Sequence, residues 1–201
     1  MSKPSSPRRL ILASSSPYRR ALLERLQLSF EVIVPGIDET PLPGETPAQT
    51  ALRLAEAKAR EVARNAPEAL IIGSDQVATL DGLQIGKPGN HAAALTQLQM
   101  MRGREVEFHS ALCLYDGLTL STQTADVITH VTFRDLPDVE LDAYLHTEQP
   151  YDVAGSAKSE ALGIALLSAM RSDDPTALVG LPLITLTGML QHVGFKLFPS
   201  L

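Results

Sequence analysis

Cysteine is almost absent from this chain: Cys113 is the only one, which excludes an intrachain disulfide and a cysteine-based zinc cluster. Long hydrophobic runs are missing too. The longest, residues 177–190, covers 14 residues and carries a proline and two threonines, short of a membrane-crossing helix. The basic start MSKPSSPRR leads only into Leu10, Ile11 and Leu12 before serines intervene, too short for a signal-peptide core. Positive charge is scarce, with 17 Lys and Arg against 23 Asp and Glu and a formal net charge of −6. That argues against a general nucleic-acid coat or an anionic membrane surface, since both need a basic face, but it leaves room for a small basic pocket. The histidines, at 91, 109, 130, 146 and 192, show no metal-ligand spacing. Neither a Walker A glycine loop nor a Rossmann glycine fingerprint occurs, so a kinase or a dinucleotide dehydrogenase is disfavoured. A reduced, cytoplasmic compartment is the economical expectation.

What is present fits a folded domain. The 201 residues are 44% hydrophobic and 20% charged, ordinary values for one good core or two lobes. Residues 1–9 are expected to be a flexible tail and 10–201 a single domain. The most informative run is LILASSSPYRRALLERL, residues 10–26. A short apolar strand meets a helix across a serine turn, with Ser16 as N-cap and Pro17 at the first helical position. Arg19 and Arg20 then fall in the first helical turn, where free N–H groups already concentrate positive potential and acidic side chains are favoured. Two arginines there are locally unfavourable unless an anion binds, because helix N-termini and guanidinium groups both hold phosphate.

Further along, FEVIV (30–34) reads as a strand leading to the adjacent acids Asp38 and Glu39, candidate metal or catalytic groups. TPAQ (46–49) is a capping box that opens a helix to about Asn65, and Lys58 on it reads by itself as a snorkelling surface lysine. Leu70–Ile72 is a buried strand followed by Gly73, expected to admit a ligand close to the backbone, and by Asp75, placed where α/β sheets bind ligands. The Asp81-Gly82 hairpin should return Gly86, Lys87 and Pro88 to the same end as Asp75. A helix is expected over 91–101, a hairpin of 105–115 with 118–133 around Asp116-Gly117, and a short helix to about His146. A contact-bearing loop follows over 149–163, then a last strand over 164–167, a loop over 171–175 and a final helix to about His192. Cys113 reads as a core thiol.

Cations gathered with carboxylates suit a polyphosphate held through a divalent metal, with one carboxylate activating water. Spacing by itself reaches only this far: it suits the binding of a phosphorylated small molecule and leaves its hydrolysis open.

The motifs reach further. LILASSSPYRRALLERL, IDET (37–40), LAEAKA (54–59), IIGSDQV (71–77), GKP (86–88), AGSAKSE (154–160) and LVGLPL (178–183) together resemble the Maf family of nucleoside triphosphate pyrophosphatases. The resemblance implies an α/β fold of the Maf and ITPase-like kind, an elongated mixed β-sheet flanked by helices with a central cleft. It implies a hydrolase that cleaves a nucleoside triphosphate to its monophosphate and pyrophosphate with Mg²⁺ or Mn²⁺. Asp75 matches the family's proton acceptor and metal-side acid, Glu39 a further metal-side acid, and Ser14, Arg19, Arg20, Lys58 and Lys87 its phosphate-handling groups. Tyr18, Gln76 and Glu160 occupy the specificity positions and are similar to the branch acting on 7-methyl-GTP. An aromatic face suits the cationic N7-methylated base, and a glutamate can accept from guanine N1 and N2. Tyrosine in place of that branch's tryptophan, and Ala161 in place of glycine, are departures that bear on base stacking. The implied partner is the nucleotide substrate, with no nucleic acid or membrane; homodimerisation stays open. The alternatives are a dTTP/UTP pyrophosphatase of the same family and a non-catalytic nucleotide sensor that inhibits septum formation.

Overall fold

The computed structural model describes residues 8–198. Strand β1 (Leu10–Ala13), helix α1 (Pro17–Glu24) and β2 (Glu31–Ile33) form the first unit. Helix α2 (Pro47–Ala63) leads to β3 (Leu70–Leu80), which turns back as β4 (Leu83–Ile85). Helix α3 (His91–Met101), β5 (Glu105–Asp116), β6 (Ser121–Phe133) and α4 (Asp138–Glu148) follow, then β7 (Leu167–Ser172) and α5 (Leu183–His192). Short 3₁₀ turns lie at Ala154–Ser156, Leu162–Leu166 and Ala177–Val179. Among the described residues the strands make one mixed sheet in the order β2-β1-β3-β5-β6-β7, with β4 paired to β3. β2, β1 and β3 run parallel, each connected through a helix, and every other pair is antiparallel.

Alternation along β1 and β3 builds two cores. Leu10, Leu12, Leu70 and Ile72 pack under α1 and α5, whereas Ile11, Ala13, Ile71 and Cys113 pack under α2. A third cluster joins the far ends of β3, β5 and β6 to α3 and α4. Helix α2 starts on the expected capping box, Thr46 with Gln49, and lays Ala51, Ala55 and Ala59 against the sheet. Those small side chains bring its backbone close to β3. Cys113 is fully buried and its thiol is pushed up to about 12, which makes it an inert core residue.

The structure departs from the sequence expectations in several places. β3 does not end at Ile72 but continues to Leu80, so Asp75 lies within a strand. Gly73 is required by packing, because a Cβ there would collide with the Ala55 carbonyl and lie 3.0 Å from Ala59 N. The β5–β6 turn spans residues 117–120, since Asp116 still pairs with Ser121. The apolar run expected as the last strand is largely a 3₁₀ turn, and β7 begins only at Leu167 and takes in Arg171 and Ser172. Short apolar runs do not distinguish strand from helix by periodicity. Of the expected tail, residues 1–7 lie outside the described residues. Arg8 and Arg9 are held by Asp116 and Glu31.

Candidate active site

β1 ends at Ala13 opposite Gly73, and β4 joins β3 only at Ala78. Between them Ser74, Asp75, Gln76 and Val77 are paired to β5 on one side and, among the described residues, to no strand on the other. Over this open edge lies a cleft of about 540 Å³, within the usual range for small-molecule sites. Its lining comes from the serine turn and first residues of α1, from Glu39, from Leu54 and Lys58 of α2, and from Asp75 to Val77. Pro35 and residues 84–87, 152–154 and 179–180 complete it.

The centre of the cleft is an ammonium between two carboxylates. Lys58 Nζ lies 2.7 Å from Asp75 Oδ1 and 2.8 Å from Glu39 Oε1. Lys58 is only 5% exposed, contrary to its reading as a surface residue. The signal was in the helix itself: Lys58 follows Leu54 and precedes Val62 at four-residue spacing, inside the buried stripe. Burying a charge is costly unless it is paired, and replacing such pairs by apolar residues is often neutral or stabilising. The cluster therefore points to function more than to stability. Partial burial raises the Glu39 carboxyl, but the Lys58 hydrogen bond and the charges of Lys58, Lys87 and Arg19 outweigh it and hold it below its ordinary value.

The serine turn behaves as its sequence implies. Ser16 Oγ accepts from Arg19 N–H at 3.3 Å, and Ser14 Oγ accepts from Ser16 N–H at 3.1 Å. The two arginines then part company. Arg19 points into the cleft and donates from Nε to Gly180 O at 2.8 Å. Burial lowers its pKa while the charges of Asp75 and Glu39 raise it, with burial the larger effect. Arg20 is exposed, pairs with Glu24 one turn along at 2.9 Å, and does not line the cleft. Its expected phosphate role is not supported by this placement, because adjacent residues on a helix face different directions. Asp38 is also turned outward and accepts from Thr40 N–H at 2.9 Å.

The Gly180 carbonyl accepts from both Arg19 and Ser74 Oγ, the latter at 2.8 Å, so one oxygen ties α1 to β3. Gly180 has φ +116°, a region that disfavours side chains. This segment is fixed by Asp174, 1% exposed, which accepts from the N–H groups of Ile184 (2.7 Å) and Thr185 (3.3 Å) in the first turn of α5. Asp174 had no motif that marked it, and Gly180 stood in LVGLPL with no role assigned to it.

On the specificity side, Gln76 donates from Nε2 to Ser110 Oγ at 3.0 Å and to Leu178 O at 2.9 Å. Tyr18 donates to Asp152 Oδ2 at 3.1 Å, and Lys158 Nζ lies 5.8 Å from its ring centroid. Burial raises the Tyr18 pKa, with Lys158 lowering it and Asp152 raising it. Glu160 is exposed and outside the cleft lining, on the segment whose beginning, residues 152–154, forms part of the wall. Asp152 joins the cleft wall without having been singled out for it, whereas Lys158, from the expected contact-bearing loop, stands beside Tyr18 outside the lining. Lys87 is exposed at the cleft mouth, as the Asp81-Gly82 hairpin implies.

An α/β sheet with a cleft in which cations and carboxylates converge has the charge pattern of a site for phosphorylated small molecules. Residues 9–193 match the family model described as Maf-like protein, and the chain belongs to the Maf family. It is 71% identical over 196 residues to the 7-methyl-GTP pyrophosphatase of Burkholderia pseudomallei (strain 1710b), covering 96% of this chain and 91% of that one. It is equally 71% identical over 189 residues to the 7-methyl-GTP pyrophosphatase of Ralstonia nicotianae, covering 94% and 97%. Among solved structures, the Staphylococcus aureus Ham1 protein superposes with a TM-score of 0.52 at 14% identity, over 92% of this chain and all of that one, a likeness of fold. No helix among the described residues is long and apolar enough to cross a membrane.

Proposed function

We propose that this protein hydrolyses 7-methyl-GTP to 7-methyl-GMP and pyrophosphate. The observation that carries the proposal is the convergence of Arg19, Lys58, Lys87, Glu39 and Asp75 on the cleft that Tyr18 and Gln76 also line. The high identity to two proteins bearing that name supports it.

In this reading the triphosphate lies across the open edge of β3. Arg19 meets phosphate oxygens with the guanidinium nitrogens left over after Nε binds Gly180, and Lys87 closes over the chain from the mouth. Asp75 takes a proton from the attacking water as the anhydride between the α- and β-phosphates breaks, and pyrophosphate leaves with the bridging oxygen. Lys58 holds Asp75 and Glu39 in position through their Oδ1 and Oε1 atoms. The remaining oxygen of each carboxylate has no hydrogen bond among the described residues, a donor set of hard oxygens that fits Mg²⁺ or Mn²⁺. When bound, such an ion polarises the phosphate oxygens and the water.

The Tyr18 ring supplies a face for the cationic methylated base, which an arginine at that position would repel. Pyrophosphate release from a panel of unmodified and methylated nucleoside triphosphates tests the proposal, with 7-methyl-GTP expected to give the largest kcat/KM. A dTTP- or UTP-first ranking would replace it with the sister activity. The triple substitution Tyr18→Arg, Gln76→Thr, Glu160→Gln is expected to shift preference towards UTP and dTTP; an unchanged ranking would remove the specificity assignment. Tight nucleotide binding without metal-dependent turnover would favour a sensor.

A further inference from the structure

Away from the cleft, at the junction of α3 and α4, three side chains with no part in the proposed reaction converge. His91 is the first residue of α3, and Asp142 and His146 lie one turn apart on α4. His91 Nε2 is 2.7 Å from Asp142 Oδ1, and His146 Nε2 is 3.5 Å from Asp142 Oδ2. The two imidazole rings are 4.5 Å apart between centroids. One ligand atom from each of the three lies within 4.8 Å of the other two. Sequence spacing concealed the group because His91 comes from a different element, 51 residues before Asp142.

The surroundings of His91 favour a cation at this point. Tyr151 has a single hydroxyl proton, and its oxygen lies 3.3 Å from the Leu145 carbonyl and 3.0 Å from His91 Nδ1. A carbonyl can only accept, so when the tyrosine donates to Leu145 it accepts from His91 Nδ1–H. In the neutral ring this leaves the Nε2 lone pair facing a carboxylate oxygen at 2.7 Å. Two acceptors at that separation repel unless a proton or a metal ion lies between them. The arrangement is that of a metal-ligating histidine, one nitrogen oriented by an outer hydrogen bond and the other presented to the ion.

We propose that His91, Asp142 and His146 form a binding site for a divalent transition metal ion, Zn²⁺ or Co²⁺, separate from the cleft. The ligand set selects the class. Two imidazoles and one carboxylate suit borderline ions of this kind, whereas Mg²⁺ takes oxygen ligands and keeps its waters. Side-chain exposures of 31% for His91, 45% for Asp142 and 71% for His146 leave room for water to complete the coordination. None of the three lines the cleft, and an ion held there ties the start of α3 to α4.

The test is titration of the 201-residue chain with Co²⁺, and separately with Zn²⁺, in excess Mg²⁺ to saturate the cleft carboxylates. Visible absorption follows the cobalt and calorimetry the zinc. One equivalent is expected to bind and to raise the melting temperature. Binding should be abolished in His146→Gln and in His91→Asn, weakened about tenfold in Tyr151→Phe through loss of the orienting bond, and unchanged in His192→Gln. Melting curves without added metal check that the variants remain folded, and the exposed His146 is the safer of the two. Turnover with Mg²⁺ should be unaltered in His146→Gln, which separates this site from the proposed activity. Absence of saturable binding to the unsubstituted protein, or binding by both histidine variants as tight as that of the unsubstituted protein, would reduce the cluster to surface ion pairs and overturn the proposal.

Discussion

The two halves of β3 share a strand and a partner but do opposite work. From Leu70 to Gly73 the strand is flanked by β1 on one side and β5 on the other, and every residue is buried. From Ser74 to Val77 the β5 side continues unchanged, but the other edge has no strand among the described residues. A missing neighbour leaves backbone and side chains to be satisfied by something else. Here the serine turn, Lys58 and Gly180 move in, and the space between them is the cleft. The lesson is that the site arises from unequal strand lengths: β3 has 11 residues, β1 has 4, and the chemistry sits where the shorter one stops.

Substitutions two residues apart sharpen this contrast. Asp75→Asn, in the open half, should lower turnover by about 10²–10⁴-fold, the usual contribution of a positioned base. The shape of the side chain is kept and the melting temperature should stay close to that of the parent. Retention of turnover within a few-fold would remove Asp75 from the reaction. Gly73→Ala, in the closed half, should do the reverse. Its new methyl meets the Ala55 carbonyl, backbone that cannot swing aside, and overpacking of this kind typically costs about 1–3 kcal/mol. Denaturant unfolding should reveal the loss, with activity per folded molecule largely kept. Equal stability of the two variants would show that α2 moves freely over β3 and that the closed half is not closed.

How much of this was visible beforehand follows the same division. The βα unit around Leu10–Glu24, the capping box at Thr46 and the Asp81-Gly82 hairpin were legible because cap and turn residues act locally. Gathering Arg19, Glu39, Asp75 and Lys87 into one charged site was legible because each follows within a few residues of an apolar run or a turn pair in the sequence. Lys58 and Gly73 were misread for one reason: each was judged without the partner it meets across the fold. Lys58, read from its helix alone, looked like a surface lysine although the motif resemblance had placed it among the phosphate-handling groups, and Glu39 and Asp75 around it supply the reason; Gly73 looked like a ligand contact until α2 was laid on it. Asp174, which caps α5 from nine residues upstream of Leu183, carries no periodic signal at all.

The neighbouring arginines give a smaller effect that again separates inside from outside. Arg19→Ala removes a charge-assisted donor from the cleft and should reduce kcat/KM by roughly 10- to 100-fold, in line with about 1.5–3 kcal/mol for such bonds. Arg20→Ala breaks only an exposed pair with Glu24 and should change stability by less than about 1 kcal/mol, with kcat/KM near that of the parent. Equal losses from both would place Arg20 in the substrate's path and contradict its outward orientation. Steady-state kinetics on one nucleotide decides between them.

The smallest effect on turnover is expected at the far end of the closed half, where Asp116 pairs with Leu70 across the sheet. Its carboxylate accepts two hydrogen bonds from Arg8, at 2.8 and 2.5 Å, and one each from the N–H groups of Leu118 and Thr119. The Arg8 bond, opposed by burial and aided by the turn amides, lowers its pKa from 3.8 to about 2. A carboxyl group whose folded pKa is depressed contributes stability above its unfolded value and loses that contribution as pH falls through the folded one. The contribution of Asp116 is therefore complete above about pH 4 and disappears between about pH 4 and pH 2. Asp116→Asn keeps an oxygen for the turn amides but gives up the ion pair at every pH. Melting temperature followed down the acid limb should fall less steeply in the variant, and the two curves should converge near pH 2. Parallel curves would mean that Arg8 contributes nothing there. Asp116 and Asp75 are both carboxylates in the strand pair β3–β5, both hydrogen-bonded to a cation. What separates them is the strand edge beside each: Asp116 has only Arg8 and its own turn to serve, whereas Asp75 lines a cleft wide enough for a substrate.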